Sequence, residues 1–231
     1  MGKTLIQQAR GRGGPTYRVR RGAYRFRVHY PTQIGEAEIL SLLHSAGHTA
    51  PLMKLKINNE FFYNPAFNGA YTGKGITIGL PNTQEGNILM LKDVQVGTRI
   101  YNIELTPGDG GKIMRAAGTA ATLTKKDGDQ ITIALPNKKE IILNSNCRAT
   151  IGVVAGSGRI LKPFVTAGRK FYKMKARNKH WPRTSAVKMN VVDHPFGSGR
   201  GKRIKQKIAK RNAPPGSKVG HIRPRRTGKR K

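Results

Sequence analysis

Apolar positions along this chain come in short alternating runs, punctuated by Gly, Asn and Pro, which is the cadence of strands rather than long helices. GEAEILSLLH, residues 35–44, reads as one half-buried run. LMKLKINNEFFYNP, residues 52–65, holds two alternating arms around Asn58-Asn59, a pair able to take positive φ in a tight turn. YTGKGITIGL, residues 71–80, supplies another strand. Residues 31–86 therefore predict a small barrel, with the five-stranded oligonucleotide-binding (OB-like) type among the candidates. A second set follows: TRIYNIEL, GTAATLTKK, QITIAL and EIILN, joined by PGDGG, Asp127-Gly128-Asp129 and Pro136-Asn137. Its cadence over residues 87–168 predicts a strongly bent, SH3-like barrel.

The ends break this pattern. Residues 1–30 read as an arm, in which Gly11, Gly13, Gly14 and Pro15 stop any helix early. TYRVRRGAYRFRVHY, residues 16–30, alternates aromatic or aliphatic residues with Arg and predicts a strand. Such a strand is either a charge-protected edge or a surface facing RNA. From Arg169, RKFYKMKARNKHWPR interleaves Phe171, Tyr172 and Trp181 with cations. That mixture suits stacking on bases while Lys and Arg meet phosphate, although a basic amphipathic helix near residues 171–174 reads equally well there. Beyond Arg203 the chain is low in complexity, basic, and too poor in apolar residues to fold alone.

Charge sharpens the division. The 231 residues carry a formal +33. Residues 1–30 hold eight Lys/Arg and no acid, residues 31–168 hold 14 against ten acids, and residues 169–231 hold 22 against one. The middle is thus an ordinary globular region, and each end is a polycation that becomes compact only against a polyanion. A membrane helix would set bulky apolar residues opposite its cations. The Gly, Pro and Ser of the tail argue for nucleic acid instead, where each phosphate contact releases counterions. The cations expected on RNA are Arg10, Arg12, Arg18, Arg20, Arg21, Arg25 and Arg27 in the arm. In the extension they are Arg169, Lys170, Lys173, Lys175, Arg177, Lys179, Arg183, Lys202, Arg203, Lys205, Lys207, Arg211, Lys218, Arg223, Arg225 and Arg226, with His180 and Trp181 beside them.

Candidate chemistry is sparse. Cys147 is the only cysteine, so neither an intrachain disulfide nor a cysteine zinc site is available, and its apolar run CRATIGVVAG marks it as a buried small hydrophobe. No metal or cofactor is expected. No apolar run approaches the 18 residues of a span, and MGKTLIQQAR lacks a signal-peptide core, so a cytoplasmic location is expected. Residues 69–74 superficially suggest a phosphate loop, but three residues separate the glycines and Gly75 follows Lys74 where Ser or Thr is required.

The sharpest feature is KMNVVDHPFGSGRGKR, residues 188–203. Asp193 is the only acid after Glu140, and His194, Pro195 and Phe196 follow it directly. His194 as a general base would need an orienting carboxylate and a substrate within reach, and Asp193, its sequence neighbour, points to the opposite side in an extended segment. A cationic His194 bonded to phosphate or ribose is the simpler expectation. Gly197, Gly199 and Gly201 permit close backbone approach to RNA, and Pro195 stiffens the turn. A nucleic-acid chaperone or transcription-associated barrel protein is the alternative reading, and a His194-dependent enzyme is the weakest.

Three segments carry a family resemblance: residues 98–119 (TRIYNIELTPGDGGKIMRAAGT), 147–154 (CRATIGVV) and 189–199 (MNVVDHPFGSG). The chain resembles the universal large-subunit ribosomal protein L2 family over essentially its full length. APPGSKVG, RRTG, HWPR at 180–183 and Phe196 are similar to the archaeal and eukaryotic branch. Val191, Ser198, Arg200 and Ser45 depart from the family pattern. The resemblance implies a mainly β fold, an OB-like barrel followed by an SH3-like one, with basic extensions threaded into large-subunit ribosomal RNA. It implies a monomer within the ribosome, beside neighbouring ribosomal proteins and the small subunit, that supports subunit association and tRNA binding and is not an enzyme. It also implies an RNA-contacting loop near the peptidyl-transferase region, built from Asn190, Asp193, His194, Pro195, Phe196, Gly197, Gly199 and Arg200.

Overall fold

The computed structural model describes residues 3–197. Gly199, Arg200, Lys202, Arg203, Lys205, Lys207, Arg211, Lys218, Arg223, Arg225 and Arg226 lie outside the described residues. The described residues form two compact units, one of Arg21–Val165 and the other joining residues 3–20 with residues 166–197.

The unit Arg21–Val165 is built on strands. These are β1 (Gly35–Leu43), β2 (Leu52–Ile57), β3 (Glu60–Pro65), β4 (Gly75–Ile78), β5 (Ile88–Met90), β6 (Arg99–Tyr101), β7 (Ala121–Asp127), β8 (Gln130–Ala134), β9 (Glu140–Asn144) and β10 (Arg148–Ile151). They join in one ten-stranded sheet of order β3-β2-β1-β4-β5-β10-β6-β7-β8-β9. All pairings are antiparallel except β4 with β5, which meet through Ile78 and Ile88. The fold is mainly β, as the alternating runs require.

Local chemistry explains the hairpins. Asn58 takes φ 48 in the β2–β3 turn, a left-handed geometry its short amide side chain tolerates. A register shift between Ile39 and Ser41 bends β1 against β2, and another between Leu123 and Lys125 bends β7 against β8. Two apolar clusters fill the unit. Ile39, Leu55, Phe62, Phe67, Ile76 and Tyr101 belong to the first, and Leu89, Ile100, Leu123, Ile133, Cys147 and Ala149 to the second. Cys147 is fully buried, and burial pushes its thiol above the ordinary value.

A polar knot sits among the buried residues. Glu104 has no solvent exposure and accepts bonds from Gly108 N (3.3 Å), Gly110 N (3.0 Å), Arg148 N (2.9 Å) and Arg148 Nη2 (3.1 Å). Arg148 also donates to Pro31 O at 2.6 Å, and its guanidinium lies 5.3 Å from the Tyr30 ring centre. Tyr30 in turn donates to Asn102 O and shares a hydrogen bond with Thr150 Oγ1. These bonds satisfy a charge that would otherwise be too costly to bury.

The strand expected over residues 16–30 does not form. Pro15–Tyr17 is a single 3-10 turn, residues 21–24 are a turn with Gly22 at φ 86, and only Val28 bridges to another strand, parallel to Tyr63. The 3-10 turn of Pro15–Tyr17 and the turn at Gly22 take up the first part of the stretch and leave pieces too short to hold a ladder.

Candidate nucleic-acid interface

In the other unit, helix α1 (Ile6–Arg12) is closed by Gly13 in the left-handed conformation at φ 71, as expected of an early glycine stop. Helix α2 (Ala167–Ala176) carries Arg169, Lys170, Lys173 and Lys175, with Arg177 at its C-cap. Phe171 and Tyr172 remain exposed and meet edge to face, their ring centres 5.5 Å apart.

The loop that follows closes into a compact turn. Asn190 O accepts bonds from Asp193 N (3.0 Å) and His194 N (3.2 Å), and His194 O accepts one from Gly197 N (2.8 Å). Gly197 is required by space. A Cβ there would lie 2.2 Å from Asn190 O and 2.6 Å from Val191 N, both backbone atoms with no room to give. Lys3 N donates to Val192 O at 2.8 Å, so the start of the described chain straps the turn. Asp193 faces Lys3 Nζ at 3.8 Å, an exposed pair of little energetic weight.

His194 is 7% exposed, and its ring stands 5.3 Å from that of Phe196. Phe196 N donates to His194 Nδ1 at 3.1 Å. A backbone N–H only donates, so Nδ1 must be the acceptor and the ring proton sits on Nε2. Burial also pushes the imidazole below its ordinary value. This geometry gives the imidazole one acceptor, Nδ1, and one donor, Nε2–H, whereas the cationic ring was expected of His194 held against phosphate. The Ser-His-Asp style relay finds no support, because Nδ1 is already engaged by the Phe196 amide.

This unit holds two clefts, one of which borders the turn. One, of about 330 Å³, is lined by Ile6, Gln7, Arg10, His180, Arg183, Thr184, Ala186, Met189, Asp193 and His194. The other, of about 370 Å³, is lined by Pro15, Thr16, Tyr17, Arg18, Arg20, Phe171, Lys175, Asn178, Lys179, His180 and Trp181. His180 lies on both walls. Lys170 Nζ is 5.2 Å from the Trp181 ring centre and Lys175 Nζ 5.7 Å from that of Phe171, so cations and ring faces are paired. The Asn178 side chain donates to Tyr17 O and ties the two segments together.

The structure thus gathers Arg10, Arg18, Arg20, Lys175, Lys179, His180, Trp181, Arg183, Asp193 and His194 onto these cleft walls. Asn190, Phe196 and Gly197 shape the turn, with Pro195 inside it, while Arg12 lies in the last turn of α1. Arg21, Arg25 and Arg27 belong to the strand-bearing unit. Sequence reasoning missed Ile6, Gln7, Asn178 and the Lys3 strap. The available hint was Leu5-Ile6, an apolar pair ahead of the glycines of the arm. Among the described residues, no cluster of three or more His, Cys, Asp or Glu is arranged to hold a metal ion, and no helix is long and apolar enough to cross a membrane.

Comparison with known proteins followed the same features. The family described as Ribosomal Proteins L2, C-terminal domain, matches residues 84–216. Three archaeal proteins named large ribosomal subunit protein uL2 align over all of this chain. That of Archaeoglobus fulgidus is 42% identical with all of its own length covered, and that of Korarchaeum cryptofilum is 42% identical with 97% covered. The Hyperthermus butylicus protein is 43% identical with 100% covered.

Proposed function

The chain belongs to the ribosomal protein L2 family, structural components of the large ribosomal subunit and not enzymes, and from that premise we propose that it holds large-subunit ribosomal RNA chiefly through the cleft beside His194 and the neighbouring cleft at Trp181. The observation that carries this reading is the His194 ring, its Nδ1 engaged by the Phe196 amide, on a wall shared with Arg10, His180 and Arg183. The wall offers the Nε2–H, two guanidiniums and a second imidazole to acceptor oxygens, and phosphates and ribose hydroxyls are the acceptors of RNA. Trp181, Phe171 and Tyr17 in the neighbouring cleft supply faces for bases. The arm cations Arg12, Arg21, Arg25 and Arg27, and the tail cations from Lys202 to Arg226, extend the contact by charge.

In this reading residues 31–86 are an OB-like barrel and residues 87–168 an SH3-like one, with 1–30 and 169–231 as the RNA-threading extensions. The loop Asn190–Arg200 lies near the peptidyl-transferase region and supports tRNA binding and subunit association, within a cytoplasmic ribosome and beside neighbouring ribosomal proteins. Peptide-bond chemistry stays with the RNA, in keeping with a family of structural components.

Filter binding of the full chain to large-subunit RNA across a salt series tests this. Log affinity should fall linearly with log salt, with a slope of about 0.9 per phosphate neutralised on duplex segments. His194→Ala should leave the strand-bearing unit folded and lower assembly or activity of subunits carrying it. A flat salt plot, or fully active subunits with His194→Ala, would refute the assignment.

A further inference from the structure

We propose that the cleft between the ends of β4 and β5 is a docking site for another protein, received as an extended acidic segment with an aliphatic side chain turned inward. The inference goes beyond the RNA reading and does not depend on it. The cleft measures about 380 Å³, and all the residues that line it belong to the strand-bearing unit. Ile34, Ile78, Ile88, Met90 and Pro107 supply its apolar wall. Ile34 is 64% exposed, an aliphatic side chain left open to solvent.

The cleft exists because two strands part. β4 and β5 meet at one position, Ile78 beside Ile88, where Gly79 N donates to Ile88 O at 2.8 Å. Gly79 then takes φ 74, a left-handed turn that leads the chain away from β5. β5 runs on to Met90 and pairs on its other side with β10. Ile151 N donates to Asn87 O and Leu91 N to Cys147 O, so Asn87, Leu89 and Leu91 are the residues that bond β10. The Met90 N–H therefore points to the β4 side, where β4 has already ended. An open strand edge is a template for one more extended chain.

Chemistry selects the occupant. Of the two cations lining the cleft, Arg148 is spent on Glu104 and Pro31 O, which leaves Lys92. Lys126 Nζ donates to Lys92 O at 2.6 Å, so a second ammonium stands at that end. The lining holds no aromatic ring, so a nucleotide would meet a cation but no face for its base, in contrast to the cleft at Trp181. An extended peptide uses every feature. Its carbonyl accepts from the Met90 N–H, an aliphatic side chain packs among Ile34, Ile78 and Pro107, and a carboxylate meets Lys92 and Lys126.

The test places p-benzoylphenylalanine at Thr32 and, separately, at Asn146, exposed positions of the cleft wall, in chains assembled into large subunits. Irradiation, RNase treatment and peptide mapping follow. The expected product survives RNase and maps to one segment of another protein, with an aliphatic residue and an Asp or Glu close together in it. Ile34→Lys and Lys92→Glu, both at exposed side chains, should each lower its yield about fivefold or more. RNase-sensitive products alone would put RNA in the cleft, and products within residues 198–231 would put the chain's own extension there. Either result overturns the proposal, as do a second copy of the chain in the cleft, a yield unmoved by both substitutions, or no product at either position. None of these outcomes bears on the salt dependence of RNA binding, so the RNA reading stands or falls by its own test.

Discussion

Replacing Glu104 by Gln is the most demanding test of how the strand-bearing unit is held together. The side chain keeps its volume, but one carboxylate oxygen becomes an NH₂ that faces only donors. Glu104 receives three backbone N–H groups and the Arg148 guanidinium, all at 3.3 Å or closer, in a site without solvent. Whichever way the amide turns, at least one buried donor loses its partner and Arg148, only 18% exposed at its side chain, loses its counter-charge. Bonds to charged groups are worth about 1.5–3 kcal/mol each, but they are not additive, and removing one partner of a buried pair costs about 3–5 kcal/mol. We expect a loss of about 3 kcal/mol, against a typical domain stability of about 5–15 kcal/mol. Urea unfolding followed by circular dichroism at pH 7 measures it, and exchange of the Gly108 and Gly110 amides should speed up in parallel. In a double-mutant cycle, Arg148→Met combined with Glu104→Gln should lose less than the sum of the single changes. A Glu104→Gln midpoint equivalent to less than about 1 kcal/mol of destabilisation would refute the view that this carboxylate is the centre of the knot.

Other expectations concern the loop and the buried thiol. Gly197→Ala forces a Cβ into the Asn190 carbonyl, so the turn should open at a cost of about 1–3 kcal/mol. Faster exchange of the Asp193 and His194 amides would report it, while Gly168→Ala, with open space around it, should be neutral or slightly stabilising. Because burial holds folded His194 below the unfolded value of about 6.5, the unfolded chain binds the extra proton first. The stability His194 contributes is thus present above about pH 6.5 and is lost as pH falls from there through the lowered folded value. His194→Phe should flatten that part of the pH profile in urea titrations, and an unchanged profile would contradict a neutral buried ring. Cys147, fully buried with its thiol pushed up, should react with a thiol reagent only after unfolding; fast labelling of the native chain would show the second core to be open.

What the sequence determined by itself was whatever is written in neighbours two or three residues apart. Alternation placed β1 to β4 and β6 to β9, Asn58-Asn59 marked the hairpin, an apolar run placed Cys147 in the core, and the early glycines marked the end of α1. Those signals act within one element, so they need no partner to be read. The mainly β class followed from periodicity, and the polycationic character of the ends from charge, in the same way. What tertiary structure alone decided was every feature that depends on a distant partner. β5 is three residues long and exists because Ile88 meets β4 and residues 148–150 meet it from β10. The alternating residues of the arm had strand periodicity, but turns at Pro15 and Gly22 left only Val28 to pair. Lys3, Ile6 and Gln7 joined the His194 loop across nearly the whole chain. The charge of His194 was the clearest case. Phosphate around the loop was the reason to expect a cation, whereas the Phe196 amide on Nδ1 and the burial that lowers the imidazole's pKa are set by atoms within a few ångströms, which the composition of the segment does not specify.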